Sequence, residues 1–169
     1  MYNILTIPNE KLRQTPKRVE DVEGSRDTLE ALCTSMFDTM RKVGGVGMAA
    51  NQIGVDMQLA VAYINGRAYN LINPEIIEEK GEQQSEEGCL SIPGGFLATI
   101  KRPTELILKW TTLENEEKKE RFIGYSAAIV KHELDHLAGI LFIDYLPEFK
   151  REKAKKKVEK WKRLEKRRS

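Results

Sequence analysis

A chain of 169 residues has the size of one domain, and folding at this length removes roughly 70% of the surface that an unfolded chain exposes, enough for a core with a cleft in it. Hydrophobic residues make up 40% and charged residues 32%, with no apolar run near the roughly 20 residues that span a bilayer, which excludes a helical membrane protein. The net charge of +2 conceals an asymmetry: residues 150–169 hold 12 Lys and Arg against 3 Glu, a net +9, leaving −7 on an acidic body over residues 1–149.

The stretch from Met1 to Glu10 has a short apolar patch but no basic leader, long hydrophobic segment or small-residue cleavage site, so no secretion signal is expected. Two cysteines, Cys33 and Cys89, are too few for a disulfide framework and suit a reducing compartment. The first expected helix covers Asp27 to Val43, where Leu29, Leu32, Cys33, Met36, Phe37 and Met40 follow helical spacing. Asp27 is placed to cap it, with Glu30 three residues on, and Gly44-Gly45 to stop it. Cys33 lies on the apolar stripe and reads as a small core residue.

Next comes Gly45-Val46-Gly47-Met48-Ala49-Ala50-Asn51-Gln52. Its small residues let a substrate or another backbone approach closely, and Gln52 supplies an uncharged amide donor. It lacks a third Gly in register and a Gly-Lys-Ser/Thr, so nucleotide binding is not expected. Two strand-like runs, Gln58 to Ile64 and Arg67 to Ile72, are separated by Asn65-Gly66, a strong hairpin signal. Cys89 then sits in Glu87-Gly88-Cys89-Leu90-Ser91-Ile92-Pro93, where Gly and Pro imply a tight, exposed backbone. A strand is expected at Glu105 to Leu113, with a return strand near Arg121 to Ile123. A helix follows from Ser126 to Leu137, ending before Gly139. The basic tail reads as a further helix, with Ala154, Val158 and Trp161 at i, i+4, i+7 and Leu164 nearby. There are no internal repeats and no low-complexity linker.

Both histidines of the chain fall in His132-Glu133-Leu134-Asp135-His136. At i and i+4 on a helix they face one side and can bind one metal ion, while the Glu beside the first can act as general base. A catalytic site usually needs a third protein ligand. The longer HExxHxxGxxH pattern places a third His where this chain has Phe142, although Gly139 is in register. Downstream carboxylates such as Asp144 or Glu148 are one alternative, which would make the protein another HExxH metallohydrolase such as a peptidase. The Cys89 thiolate is the other, giving a Cys-His-His set. A third reading is a binding module that lays its basic tail on nucleic acid, with steep salt dependence.

The ordered set GxGxAAxQ, EGCLS and HExDH resembles the three motifs of the peptide deformylase family. The similarity extends over nearly the whole body, through Ile7-Pro8, Leu12-Arg13, Leu71-Ile72-Asn73-Pro74-Glu75 and Leu141-Phe142-Ile143-Asp144-Tyr145-Leu146. It implies metal-dependent removal of the N-formyl group from formyl-methionyl nascent peptides, with release of formate. Cys89, His132 and His136 would be the ligands of one Fe2+ per chain, and Zn2+, Ni2+ or Co2+ could occupy the same site. Glu133 would be the general base and acid, with the Gln52 amide and Leu90 N–H as oxyanion donors. The peptide would lie extended beside Val46, Gly47 and Gly88, its methionine side chain near Val46, Tyr125, Ala128 and Ile129. Arg102 and Asp135 would support the metal helix.

One departure follows Ser91-Ile92-Pro93, where many relatives carry an Arg and this chain has Gly94-Gly95-Phe96-Leu97. The predicted elements make an α+β fold, with antiparallel strands around a central HExxH helix, an N-terminal helix and a basic C-terminal helix. The expected division is a catalytic domain over 1–149 and a helical tail over 150–169, the tail contacting the ribosome. No membrane or specific DNA partner is expected. The implied location is the bacterial cytoplasm, or an organelle for a processed chain.

Overall fold

Asn65 and Gly66 take φ of 50° and 78°, the positive values that a tight two-residue hairpin turn requires. In the computed structural model, which describes residues 1–169, they join β2 (Leu59–Ile64) to β3 (Arg67–Lys80). These two lie in a five-stranded antiparallel sheet of order β1-β2-β3-β6-β7, with β1 at Gly47–Ala49, β6 at Glu105–Thr111 and β7 at Glu117–Ile123. A separate antiparallel pair comprises β4 (Gln83–Glu87) and β5 (Ala98–Arg102). Three helices complete a mixed α+β fold: α1 (Arg26–Lys42), α2 (Tyr125–Leu137) and α3 (Glu148–Arg168).

The two faces of β2 show how the sheet is covered. Leu59 and Val61 pack with Leu29, Met36 and Met40 of α1 on one side. Ala60 and Ala62 face the other way, toward Ala127 and Val130 of α2, because successive strand residues alternate faces. Small residues at Ala49, Ala60 and Ala62 leave room for α2 to lie close to the sheet. A third apolar cluster gathers Ile7, Ile92, Phe96 and Phe142 with Ala154 and Val158 of α3. Those two are the buried residues of α3; Leu164 is exposed, and Trp161 is half-buried. No helix is long and apolar enough to cross a membrane.

Several boundaries differ from the sequence expectation, each for a physical reason. β3 runs on to Lys80 because register shifts between Ile72 and Glu75 and between Ile76 and Glu78 absorb the left-handed Asn73 (φ 49°) and Pro74, residues that otherwise read as a turn. β6 ends at Thr111 rather than Leu113, its inward side carrying Leu106, Leu108 and Trp110. The charged residues Glu117 to Glu120 pair in register with β6, so β7 starts before its apolar end. Asp27 does not cap α1: the helix begins at Arg26 with Ser25 in the cap position and no side-chain cap bond. Asp27 instead sits in the first turn, where its charge meets the positive end of the helix. Cys33 is buried, as its place on the stripe implied, and burial pushes its thiol up to about 12.

Candidate metal centre

Helix geometry brings His132 and His136 together, one turn apart on α2, with ring centroids 5.0 Å apart and Nε2 atoms 3.3 Å apart. Cys89 arrives from a tight turn just after β4, closed by the bond from the Ile92 N–H to the Cys89 carbonyl at 2.9 Å. Its Sγ lies 3.3 Å from His136 Nε2, and the three ligand atoms all fall within 4.8 Å of one another. Bonds of roughly 2.1 Å to nitrogen and 2.3 Å to sulfur at tetrahedral angles would separate N from N by about 3.4 Å and S from N by about 3.6 Å. The donor set therefore has the size and chemistry for one ion.

Behind the donors lies a buried ionic network. Glu87 Oε1 accepts from His132 Nδ1 at 2.8 Å, the contact that fixes which ring nitrogen turns toward an ion. Arg102 donates from Nε and Nη2 to both oxygens of Glu87, at 2.8 Å each, and from Nη1 to Asp135 Oδ2 at 2.6 Å. The Tyr145 hydroxyl donates to the same Asp135 oxygen at 2.8 Å. Arg102 is only 3% exposed, so its charge is met inside this network rather than by water. Burial raises the Glu87 carboxyl, but bonds from Arg102 and His132 outweigh it and hold the group at about 2. The last carbonyls of α2 also find tertiary partners: Asn51 Nδ2 donates to the His136 carbonyl at 2.5 Å, and Gln58 Nε2 to that of Leu137 at 3.0 Å.

Glu133 points off the same helix, 4% exposed, with its Oε2 buried and unpartnered. Burial pushes its carboxyl up to about 7. Gly47 stands against it so closely that a Cβ there would lie 2.5 Å from Glu133 Oε1. This is a concrete reason for glycine in that strand. Gln52 is pinned through its carbonyl, which accepts from the Ala49 N–H at 2.9 Å, so that Nε2 faces Ser91 Oγ at 3.1 Å and Cys89 Sγ at 3.9 Å.

These groups open on a cleft of about 1160 Å³. Val46, Gly47, Gln52, Gly88, Cys89, Leu90, Tyr125, Ala128, Ile129, His132 and Glu133 all line it, while His136 is 1% exposed and sits behind them. Val46 and Tyr125 lie on the rim, 41% and 69% exposed; Ala128 and Ile129 form buried wall. Asp144, a conceivable third ligand, is taken by Arg13 at 2.6 and 3.0 Å and by the Leu141 N–H. Glu148 is exposed at the start of α3. Phe142, in the position of a third His, packs its ring over His132 with centroids 6.1 Å apart. Sequence reasoning gave no role to Glu87, Ser91 or the Asn51 side chain; the adjacency of Glu87 to Gly88-Cys89 was the one available signal for the first.

Known proteins resemble this chain over most of its length. The family model described as polypeptide deformylase matches residues 1–152. A peptide deformylase of Pseudothermotoga lettingae is 40% identical over 87% of this chain and 84% of its own. One from Nitrosococcus oceani is 38% identical, covering 97% and 98% of the two chains. Among solved structures, a peptide deformylase from Legionella pneumophila superposes with a TM-score of 0.93 at 39% identity, over 99% of this chain and 98% of that one.

Proposed function

The chain belongs to the polypeptide deformylase family, hydrolases that remove the N-formyl group from nascent polypeptides, and from that premise we propose how its residues divide the reaction. Cys89, His132 and His136 hold a divalent cation, Fe2+ in the cell, with Zn2+, Ni2+ and Co2+ able to take the place. When bound, such a cation supplies Lewis-acid polarisation of the formyl carbonyl and acidifies water near neutral pH.

The remaining work falls to protein groups. Glu133 takes the proton of the attacking water at its free Oε2 and later returns it to the leaving amine. The Gln52 amide and the Leu90 N–H donate to the oxygen that gains charge in the transition state. Gly47 leaves the space in which the carboxylate works. β1 has β2 on one side only, so an extended substrate can pair along Val46 and Gly47, opposite Gly88, in the mode of an added strand. The methionine side chain then enters beside Tyr125, Ala128 and Ile129. The observation that carries this reading is a buried, unpartnered carboxylate oxygen beside a three-donor cluster at one end of a cleft.

Formate release from formyl-methionyl peptides by iron-loaded protein tests it. Activity is expected in the intact protein and lost in Glu133→Ala, with Cys89→Ser losing iron. Turnover surviving in Glu133→Ala would overturn the assignment of the base, and normal iron retention in Cys89→Ser that of the ligand.

We also propose that residues 1–149 form the catalytic body and that the helix beyond it meets the ribosome, in the bacterial cytoplasm, through its exposed basic face. Lys153, Lys156, Lys160, Arg163 and Arg167 are exposed there. Because Ala154 and Val158 are packed in the core, the informative test is charge reversal rather than deletion. Reversing these five should weaken co-sedimentation with ribosomes at moderate salt; unchanged sedimentation would count against the contact.

A further inference from the structure

The cleft extends beyond the reacting groups. Its lining continues from Gly47 back through Val43 and Lys42 to Thr39 of α1, and on to Tyr2 and to Trp161 of α3. No residue from Met48 to Asn51 lines it, since all four are buried. A polypeptide that begins at Glu133 and follows the free edge of β1 can therefore leave the site past Val43. β1 begins at Gly47, and Val43 and Gly44 form the turn that closes α1, so the track bends there along the end of that helix.

Trp161 lines the cleft, and its neighbours on α3 fix where that helix lies. It follows Val158 by three residues, on the helix face that Ala154 and Val158 anchor in the core. Gly94, at φ 102°, lets the helix backbone close on the loop after Cys89; a Cβ there would stand 2.8 Å from the Lys157 carbonyl oxygen. Lys162 Nζ donates to the Ile7 carbonyl at 2.8 Å, and the Ile7 N–H to the Ser91 carbonyl at 3.0 Å. Across the exit, the Tyr2 N–H donates to Thr39 Oγ1 at 3.1 Å. Val43, 51% exposed, and Trp161 both line this cleft.

We propose that Trp161 and Val43 line a distal subsite for an apolar side chain of the substrate polypeptide, several residues beyond the formylmethionine. The inference rests on the reading of the β1 edge as the substrate track. An aromatic shelf binds by area and ring contact rather than by a particular hydrogen bond, so it selects for length and apolarity. The loop after Pro93 brings α3 within reach of the cleft through the close approach of Gly94 to the Lys157 carbonyl.

The test is the ratio of kcat/KM for a formyl-methionyl hexapeptide with leucine at its fifth residue to that for formyl-methionyl-alanine. In Trp161→Ala the ratio should fall about three- to ten-fold, while Trp161→Phe keeps most of it. Leu164→Ala, exposed on the same helix and outside the cleft, keeps the wild-type ratio. An independent readout needs no variant: Trp110 is the chain's other tryptophan and is 6% exposed, so the solvent-sensitive emission belongs to Trp161. The deformylated hexapeptide should shift that emission to the blue, and methionyl-alanine should not. An unchanged ratio in Trp161→Ala, or no spectral shift, overturns the subsite while leaving the site itself standing. Failure of the intact enzyme to release formate from either peptide would instead sink the underlying reading.

Discussion

α2 and α3 are both helices set against the same body, yet they are built on opposite principles. In α2 eight of the 13 residues are buried, including Glu133, Asp135 and His136, and the polar ones are mostly met by groups far away in sequence. In α3 two of 21 residues are buried and most of the rest are charged and exposed. A buried polar group without its partner carries a large desolvation cost, whereas an exposed charge is already satisfied by water. Substitutions should therefore be felt steeply along α2 and its partners and weakly along α3.

The largest expected effect is at the reacting carboxylate. Glu133→Gln, which keeps the shape and removes the base, should lower kcat by about 10² to 10⁴ in steady-state formate release with little change in Tm. Gly47→Ala pushes a methyl group onto Glu133 Oε1 and should cost on the order of 10² in kcat/KM, because small displacements of reacting groups are expensive. Arg102→Ala leaves Glu87 and Asp135 buried without the cation they share. A loss of about 3 to 5 kcal/mol in urea unfolding is expected, together with roughly 10- to 100-fold weaker metal retention against a chelator. If Arg102→Ala unfolded like wild type, the contrast between the two helices would lose its basis.

On α3 the effects should shrink. Val158→Ala removes buried methyl groups beneath the helix and should cost about 2 kcal/mol in the same unfolding measurement. Lys156→Gln, on the exposed face, should stay within about 0.5 kcal/mol. A Lys156→Gln effect as large as that of Val158→Ala would show that the basic face is structural rather than solvated.

How much of this could be read beforehand depended on how far apart the determining residues lie. The Asn65-Gly66 hairpin, the stripe of α1 and the HExDH spacing are local: period and turn chemistry act within a few residues, and the structure contains the hairpin, the helix and the paired rings. The capping of α1 and the full length of β3 were misjudged, because a tight turn before Ser25 and two register shifts after Ile72 override local preference. β4 and β5 gave no strand signal. Their inward faces carry Glu87 and Arg102, polar residues tolerable inside only because they pair with each other.

By itself the sequence determined the chemistry on offer: two histidines one turn apart around a glutamate, a cysteine in a tight turn, small residues before Gln52, and a strongly basic end. Only the tertiary structure decided that Cys89, 47 residues from His136, meets it at ligand distance. It alone placed Glu87 and Arg102 behind His132, set Asn51 on the His136 carbonyl, and laid Trp161 along the same cleft. Helical period passes between neighbouring residues, whereas these meetings are set by how sheet and helices bury their apolar faces together, a property of the whole packed chain.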